Sequence, residues 1–364
     1  MRTPQIKSPY LQGVELNKRH PLSSRAGFTL IELLISLTLG LLLVAAATQL
    51  FFGGALSVRL QQAGADVQDS GVFGLDFMSQ HIRMSNFGND NNRLLTDSSP
   101  WGGIVVSADA SATTSTTGST VSSNLPSVRN TVSATLLDKG LISNSDGDTV
   151  ASGNEWQGLS NVTSGGAALL SDQLTIQFQA PNAMTNCEGA QVAAGAQVLE
   201  RYFLRVDTIA AGSSGTNVKN LVLACNAATL TVTSPATAQA LTAGAGQILM
   251  NRVDYLHFLL GVQIQDGSAN NNKIVYYTIK QYKTVAAAAN AAGTLAPRIV
   301  LIKIGALVRS LDNTGNKVVD PTKTYTVLDK TVTPVAESNQ NSNRYVRQVY
   351  QTTIALRNAL GAAS

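Results

Sequence analysis

Three groups of residues have types and spacings that can do chemistry. The first is built on Glu32, a lone acid near the start of about 25 mostly apolar residues from Phe28 to Phe52. A carboxylate at mid-bilayer costs on the order of 2.5–3.5 kcal/mol, so it needs a shallow position or a cation. Depth supplies part of the answer. Four residues past Phe28, Glu32 lies only ~6 Å along a helix axis, where the unpaired first-turn N–H groups also favour negative charge. A cut between Gly27 and Phe28, the small-residue junction just before the run, would supply the cation as a new amino group. That amine is tethered a turn away from its own Glu32 and poorly aimed at it. Between two staggered parallel helices, the amine of one meets the acid of the other and sets their register.

The second group is Cys187 and Cys225, the two cysteines of the chain. Neither stands in a CxxC or beside a histidine, which gives a redox or nucleophilic role no support. Both lie beyond the apolar run, and in an oxidising compartment they are expected to bridge. The closed loop of roughly 39 residues contributes ~3–4 kcal/mol in the chain-entropy model. Two free buried thiols are the alternative.

The third group is sparse. His20, His81 and His257 are far apart and form no HExxH or His/Cys zinc spacing. Asp146-Gly147-Asp148 and Asp312-Asn313-Thr314-Gly315-Asn316 are rich in oxygen, but neither fits the twelve-residue calcium loop with its terminal Glu; both read as turns. No nucleophile elbow, phosphate-binding loop or dinucleotide glycine pattern stands in a strand–helix context. No catalytic residue, metal or cofactor is expected. The chain reads as a substrate of enzymes, not an enzyme.

The element that must carry Glu32 is easily sized. About 25 residues make a helix of ~37 Å, enough to cross a ~30 Å hydrocarbon layer with some tilt. It is apolar on every face and free of proline, so it is read as membrane-spanning. Thr38 and Gly40 are its weakest helix formers, glycine costing about 1 kcal/mol against alanine, and any bend is expected there. A secretory signal is cut after its apolar core; here the cut precedes the core and retains it. The formal charge of +4 and pI near 9.0 come from the leader, residues 1–27, with Arg2, Lys7, Lys18, Arg19 and Arg25 against Glu15. Removing it leaves 21 basic and 21 acidic residues of the chain's 26 and 22. A basic leader stays cytoplasmic by the positive-inside rule, so the head is exported. A neutral mature chain lacks the basic footprint of a nucleic-acid binder.

Gly27-Phe28-Thr29-Leu30-Ile31-Glu32 followed by a long apolar helix resembles the processing site of type IV prepilins and type II secretion pseudopilins. The resemblance implies cleavage after Gly27 by a prepilin peptidase, N-methylation of Phe28, and a role for Glu32 in guiding assembly. A second similarity, to the PilW family of large minor pilins, lies in the overall size, in Thr185–Gly189, in Arg298–Arg309 and in Tyr350–Asn358. It implies a subunit of the type IV pilus that primes assembly with other minor pilins, at the tip, in support of twitching motility, adhesion or DNA uptake. Its partners would be those minor pilins, the major pilin, the peptidase–methyltransferase, the inner membrane and a tip adhesin. It would sit in the inner membrane with a periplasmic head, then in the surface pilus. The alternatives are a large minor pseudopilin of a type II secretion system and a membrane-tethered surface adhesin.

The rest of the chain is read around that anchor. Beyond Phe52 the helix is expected to continue to about residue 88, with Leu60, Val67, Leu75, Met78 and Ile82 as one apolar stripe. Gly64, Gly71 and Gly74 weaken it, and the Asn86–Asn92 cluster with Gly88 ends it. Residues 107–123 are low in complexity and read as a surface loop. Strands are expected at Gln173–Ala180, Val198–Val206, Lys219–Cys225, Thr229–Thr233, Ile248–Val262, Lys273–Lys283, Arg298–Val308 and Arg344–Leu356. Gly267–Asn272 reads as a hairpin loop, and Val285–Gly293 as a short helix or an inserted loop. The fold class is α+β, a long N-terminal helix with a transmembrane and an amphipathic half, packed on a mainly antiparallel β-rich head. The domains are the leader 1–27, the helix 28–88 and the head 89–364, which is large enough for two lobes.

Overall fold

The computed structural model describes residues 27–90, 94–107, 123–125, 129–130, 142–148, 156–207, 218–231, 237–238, 246–264, 273–336 and 344–359. The leader, the low-complexity stretch and the Gly267–Asn272 loop lie outside them, apart from Gly27, Ser107 and Ser123 at their edges. The chain divides into two compact units, Met1–Gly54 and Ala55–Ser364.

The first unit holds the beginning of helix α1, which runs Leu30–Arg83 without a break at Thr38 or Gly40. None of its residues from 30 to 52 is buried. Its hydroxyls turn back onto helix carbonyls, Ser36 to Glu32 at 2.7 Å, Thr38 to Ile35 at 2.8 Å and Thr48 to Val44 at 2.7 Å. Each donor is thereby satisfied without solvent, which is what a helix crossing hydrocarbon requires.

The second unit holds the remainder of α1 and the head. Its strands are β1 (Arg129–Asn130), β2 (Val162–Ser164), β3 (Ala167–Ala168), β4 (Leu174–Gln179), β5 (Met184–Thr185), β6 (Gln191–Val192), β7 (Gln197–Val206) and β8 (Leu221–Thr231). They continue with β9 (Thr237–Ala238), β10 (Gln247–Met250), β11 (Val253–Gln263), β12 (Ile274–Thr278), β13 (Arg298–Arg309), β14 (Tyr325–Val327), β15 (Lys330–Pro334) and β16 (Arg347–Ala355). A second helix, α2, covers Ile279–Ala291.

A six-stranded sheet has the order β1-β9-β8-β7-β4, with β10 also paired to β8. A central four-stranded antiparallel sheet is ordered β12-β11-β13-β16, and a smaller one β14-β15-β2-β3. The main core joins Val67, Met78 and Ile82 of α1 to Ile176, Phe178 and Leu223 of the first sheet and to Phe258, Ile302 and Ile304 of the central one. The other face of the central sheet, with Tyr255 and Leu307, is covered by Val162, Val327 and Val332 of the small sheet. Alternation explains this two-sided burial: neighbours along β11 and β13 point into different cores.

Several expectations change. Two expected strands, Lys219–Cys225 and Thr229–Thr233, share the single strand β8 through Leu221–Cys225 and Thr229–Thr231; residues 232–233 lie outside the described ones. Ile248–Val262 breaks between β10 and β11 at Arg252, whose φ of 55° interrupts the strand. Lys273–Lys283 is a strand only as far as Thr278, because Thr278 caps α2. Its hydroxyl accepts from the Gln281 N–H and the Gln281 side chain accepts from the Thr278 N–H, a capping box. The helical alternative for Val285–Gly293 is therefore the correct one, and the helix starts six residues earlier.

The helical glycines also gain a different meaning. A Cβ at Gly71 would collide with the Tyr350 ring, and one at Gly74 would lie 2.6 Å from Met250. These two glycines let the helix lie close against β16 and β10; they are packing devices as well as weak helix formers. Leu60 is only half-buried, while Val67, Leu75, Met78 and Ile82 are buried as the stripe predicts. The helix closes at Arg83, and Asn86 and Gly88 then take positive φ values of 65° and 79°. That left-handed turn suits asparagine and glycine.

Candidate functional site

Gly27 and Phe28 are exposed and lie just before the helix. Among the described residues nothing stands within 4 Å of a Cβ added at Gly27, and its φ is not in the left-handed region. Neither space nor backbone conformation in this chain therefore requires glycine there. Thr29 is the helix cap: its Oγ1 accepts from the Glu32 N–H at 3.3 Å and its carbonyl from the Leu33 N–H at 3.1 Å. Glu32 thus occupies the third helical position after a threonine cap, where a carboxylate faces the positive end of the helix dipole. Its side chain is exposed and has no hydrogen-bond or ion-pair partner among the described residues.

The head supplies a second, unforeseen cluster at the far end of α1. Glu200 of β7 is fully buried and holds three groups. His81 Nδ1 lies 3.0 Å from one of its oxygens, the Tyr202 hydroxyl donates to the other at 2.8 Å, and the Cys187 N–H donates at 2.9 Å. Burial, then the neighbouring Glu200 charge, pushes the Tyr202 hydroxyl well above its ordinary pKa, so it remains a donor. The expected disulfide between Cys187 and Cys225 is present, with Cα atoms 6.1 Å apart. Register places Cys225 opposite Tyr202, and Glu188 fixes the same loop through Asn226 Nδ2 and the Ala227 N–H, both at 3.0 Å. Cys187, Cys225 and Glu200 are grouped tightly enough to hold a metal, but the two sulfurs are bonded to each other and offer no thiolate.

The C-terminal segment completes the joint. The Asn358 side chain donates to the carbonyls of Arg83 and Ser85 at 3.1 and 3.3 Å, and the Asn86 side chain donates to the Asn358 carbonyl at 3.0 Å. Arg309 and Arg347 reach the buried Asp254 through Nε at 3.0 and 2.7 Å, with Asn161 Nδ2 at 2.8 Å. A buried charge held on both oxygens in this way avoids the large penalty of an unpaired carboxylate.

The two acidic turns are filled from within the protein. Asp148 accepts from Lys283 Nζ at 3.2 Å and from the Ser145 N–H at 3.0 Å, while Asp146 accepts from the Leu170 N–H at 3.2 Å. At the other turn, Asn313 Oδ1 caps the Gly315 N–H at 2.9 Å. His81 and His257 lie in separate networks, so the structure does not bring them together.

With this geometry in view, two family profiles match the chain. A prokaryotic N-terminal methylation motif covers residues 22–48, and the type IV pilus-assembly protein W family covers residues 208–358. Residues 208–358 are thus similar to the PilW family, and the amino terminus carries the methylation motif. Among solved structures, a type IV-like pilin from Thermus thermophilus is similar at 8% identity and a TM-score of 0.34, over 80% of this chain and 97% of that one. No curated protein matches.

The PilW match spans β8 through β16, and so takes in Cys225, Arg309, Arg347 and Asn358 but not Cys187 or Glu200. Sequence reasoning missed the His81–Glu200 contact and the close-packed glycines. One signal was present: Glu200 and Arg201 together interrupt the apolar residues Val198-Leu199 and Tyr202-Phe203-Leu204, and charges inside a buried strand require partners.

Proposed function

We propose that the chain is a minor pilin, a structural subunit that helps initiate the type IV pilus in a tip complex with other minor pilins. The observation that carries this reading is the N-terminal junction: an exposed Gly27–Phe28 bond, a threonine-capped apolar helix beginning at Leu30, and an exposed Glu32 with no partner among the described residues. A glycine that the fold itself does not need is explained by a peptidase that does. After cleavage and methylation at Phe28, the new amine of one subunit pairs with Glu32 of another, and burial of the helices in the fibre replaces their contact with lipid. Before assembly the helix holds the subunit in the inner membrane with its head in the periplasm.

Adjacent minor pilins, the major pilin and the prepilin peptidase–methyltransferase are then its partners. Mass spectrometry of the mature amino terminus tests the proposal. A methylated phenylalanine at residue 28 is expected; a mature chain beginning downstream of Phe52 would overturn it.

A further inference from the structure

One cavity contains a constellation for which pilus assembly has no use. It measures about 450 Å³ and lies on the central sheet beside the tip of the β14–β15 hairpin. Register sets Leu259, Lys303 and Thr353 side by side on three neighbouring strands. This is not the face that Phe258, Ile302 and Ile304 turn into the main core. Tyr276 flanks the row, with the Lys303 ammonium 3.8 Å from the centre of its ring. Gln351 and the hairpin residues Leu328 and Asp329 form the remaining wall.

Three features show that Asp329 is held in place. Leu328, just before it, has a φ of 55°, a left-handed conformation costing roughly 1–2 kcal/mol for a residue with a Cβ. Such strain persists where the surroundings over-determine the backbone, and it concentrates at functional sites. The hairpin tip also rests on Gly305, where an added Cβ would come within 2.7 Å of Val327 and 2.9 Å of Leu328. Finally, Asp329 Oδ1 is 2.7 Å from Nε2 of the buried His257, whose Nδ1 is 2.8 Å from the fully buried Asp172. With carboxylate oxygens at both ring nitrogens, the imidazole donates on both sides and its charge is shared between them. One oxygen of Asp329 is therefore anchored from the interior, while its side chain remains 46% exposed.

We propose that this cavity binds a saccharide. Sugar hydroxyls donate and accept at once, so a single ring can give a hydrogen bond to Asp329 and take one from Lys303, while Thr353 serves in either sense and Gln351, whose Nε2 donates to the Thr326 carbonyl at 3.3 Å, offers its Oε1. The apolar C–H face of the ring then lies on Leu259 and the exposed part of Tyr276. A purely anionic ligand would meet Asp329 and a purely cationic one Lys303, so neither suits both walls. Four strands at ~4.8 Å spacing give the row a span of ~14 Å, room for a short oligosaccharide lying across the sheet. A cavity with an apolar floor and a few convergent polar groups is the usual form of a small-ligand site. The inference stands apart from the pilus reading, because it uses no residue of the N-terminal motif.

Saturation-transfer NMR on the full-length protein tests it, in a detergent without a sugar headgroup. The probes are the methyl glycosides of glucose, galactose, mannose and N-acetylglucosamine, with lactose, maltose and chitobiose. At least one should show transfer, and Gln351→Ala and Thr353→Val, both surface changes, should each weaken its binding roughly ten-fold. Asp329→Asn should weaken it further, with a thermal melt reporting any loosening of the hairpin. No transfer from any probe overturns the proposal, as does transfer that survives both surface substitutions. Displacement of a bound sugar by a decapeptide of alternating Glu and Lys also overturns it, by assigning the cavity to peptide.

Discussion

Residues 30–52 and 55–83 belong to one helix, yet their side chains meet opposite surroundings. In the first stretch Leu, Ile, Val and Phe are all exposed, the hydroxyls bond only to their own helix, and a Cβ at Gly40 would meet nothing. In the second the composition is far more polar, but Val67, Met78 and Ile82 are fully buried and Gly71 lies against the Tyr350 ring. The apolar surface of the first stretch has no partner among the described residues, so its composition suits lipid or other helices. The second stretch answers to the head. The same contrast holds for the two acids. Glu32 is exposed with no partner among the described residues, whereas Glu200 is buried with three partners.

Substitutions that treat the two stretches alike should therefore give unlike results. The largest effect is expected for Glu32→Val in a strain that still processes the protein. Pilus counts by electron microscopy should fall by an order of magnitude or more, about 1.4 kcal/mol for each factor of ten, while helix content by circular dichroism stays unchanged. Unaltered piliation would remove the pairing mechanism.

Glu200→Ala should act the other way, on folding. It strands His81, the Tyr202 hydroxyl and the Cys187 N–H, and each buried group left without its hydrogen-bond partner costs about 1–3 kcal/mol. Denaturant unfolding of the full chain measures it. Removing the disulfide with Cys187→Ser and Cys225→Ser, whose positions are 38 residues apart, should cost ~3–4 kcal/mol in the same assay.

The sharpest comparison uses one substitution at two places. Gly71→Ala should destabilise by about 1–3 kcal/mol through overpacking against Tyr350. Gly40→Ala, with open space around it, should strengthen the helix by about 1 kcal/mol.

A further comparison concerns pH. Burial alone would push the His257 imidazolium down, but the Asp172 charge and the hydrogen bonds to Asp172 and Asp329 outweigh it and raise its pKa to about 9. A folded value above the unfolded one of 6.5 means that the protonated ring stabilises the fold. That contribution is full below about pH 6.5 and is lost as pH rises through about 9. Unfolding free energy should therefore decline across this window, and the decline should be absent in His257→Gln. A profile unchanged by the substitution would refute the assignment.

Much of this was legible beforehand, and for definable reasons. The apolar run, the acid at its start and the junction before it are local in sequence, and the stripe Val67–Leu75–Met78–Ile82 follows from helical periodicity. The strand at Lys273–Lys283 was overrun because β-branched and aromatic residues continue past Thr278, where a capping box outweighs their propensity.

The sequence by itself determined the long apolar helix, the N-terminal methylation motif and the β-rich head, because each rests on contiguous composition or a short period. Only the tertiary structure decided which glycines seat a tyrosine or a hairpin, which histidine meets which carboxylate, and that Asn358 ties off a helix ending at Arg83. These contacts join residues from tens to hundreds of positions apart, and no local period encodes a pairing between side chains that only the packed sheets bring within reach.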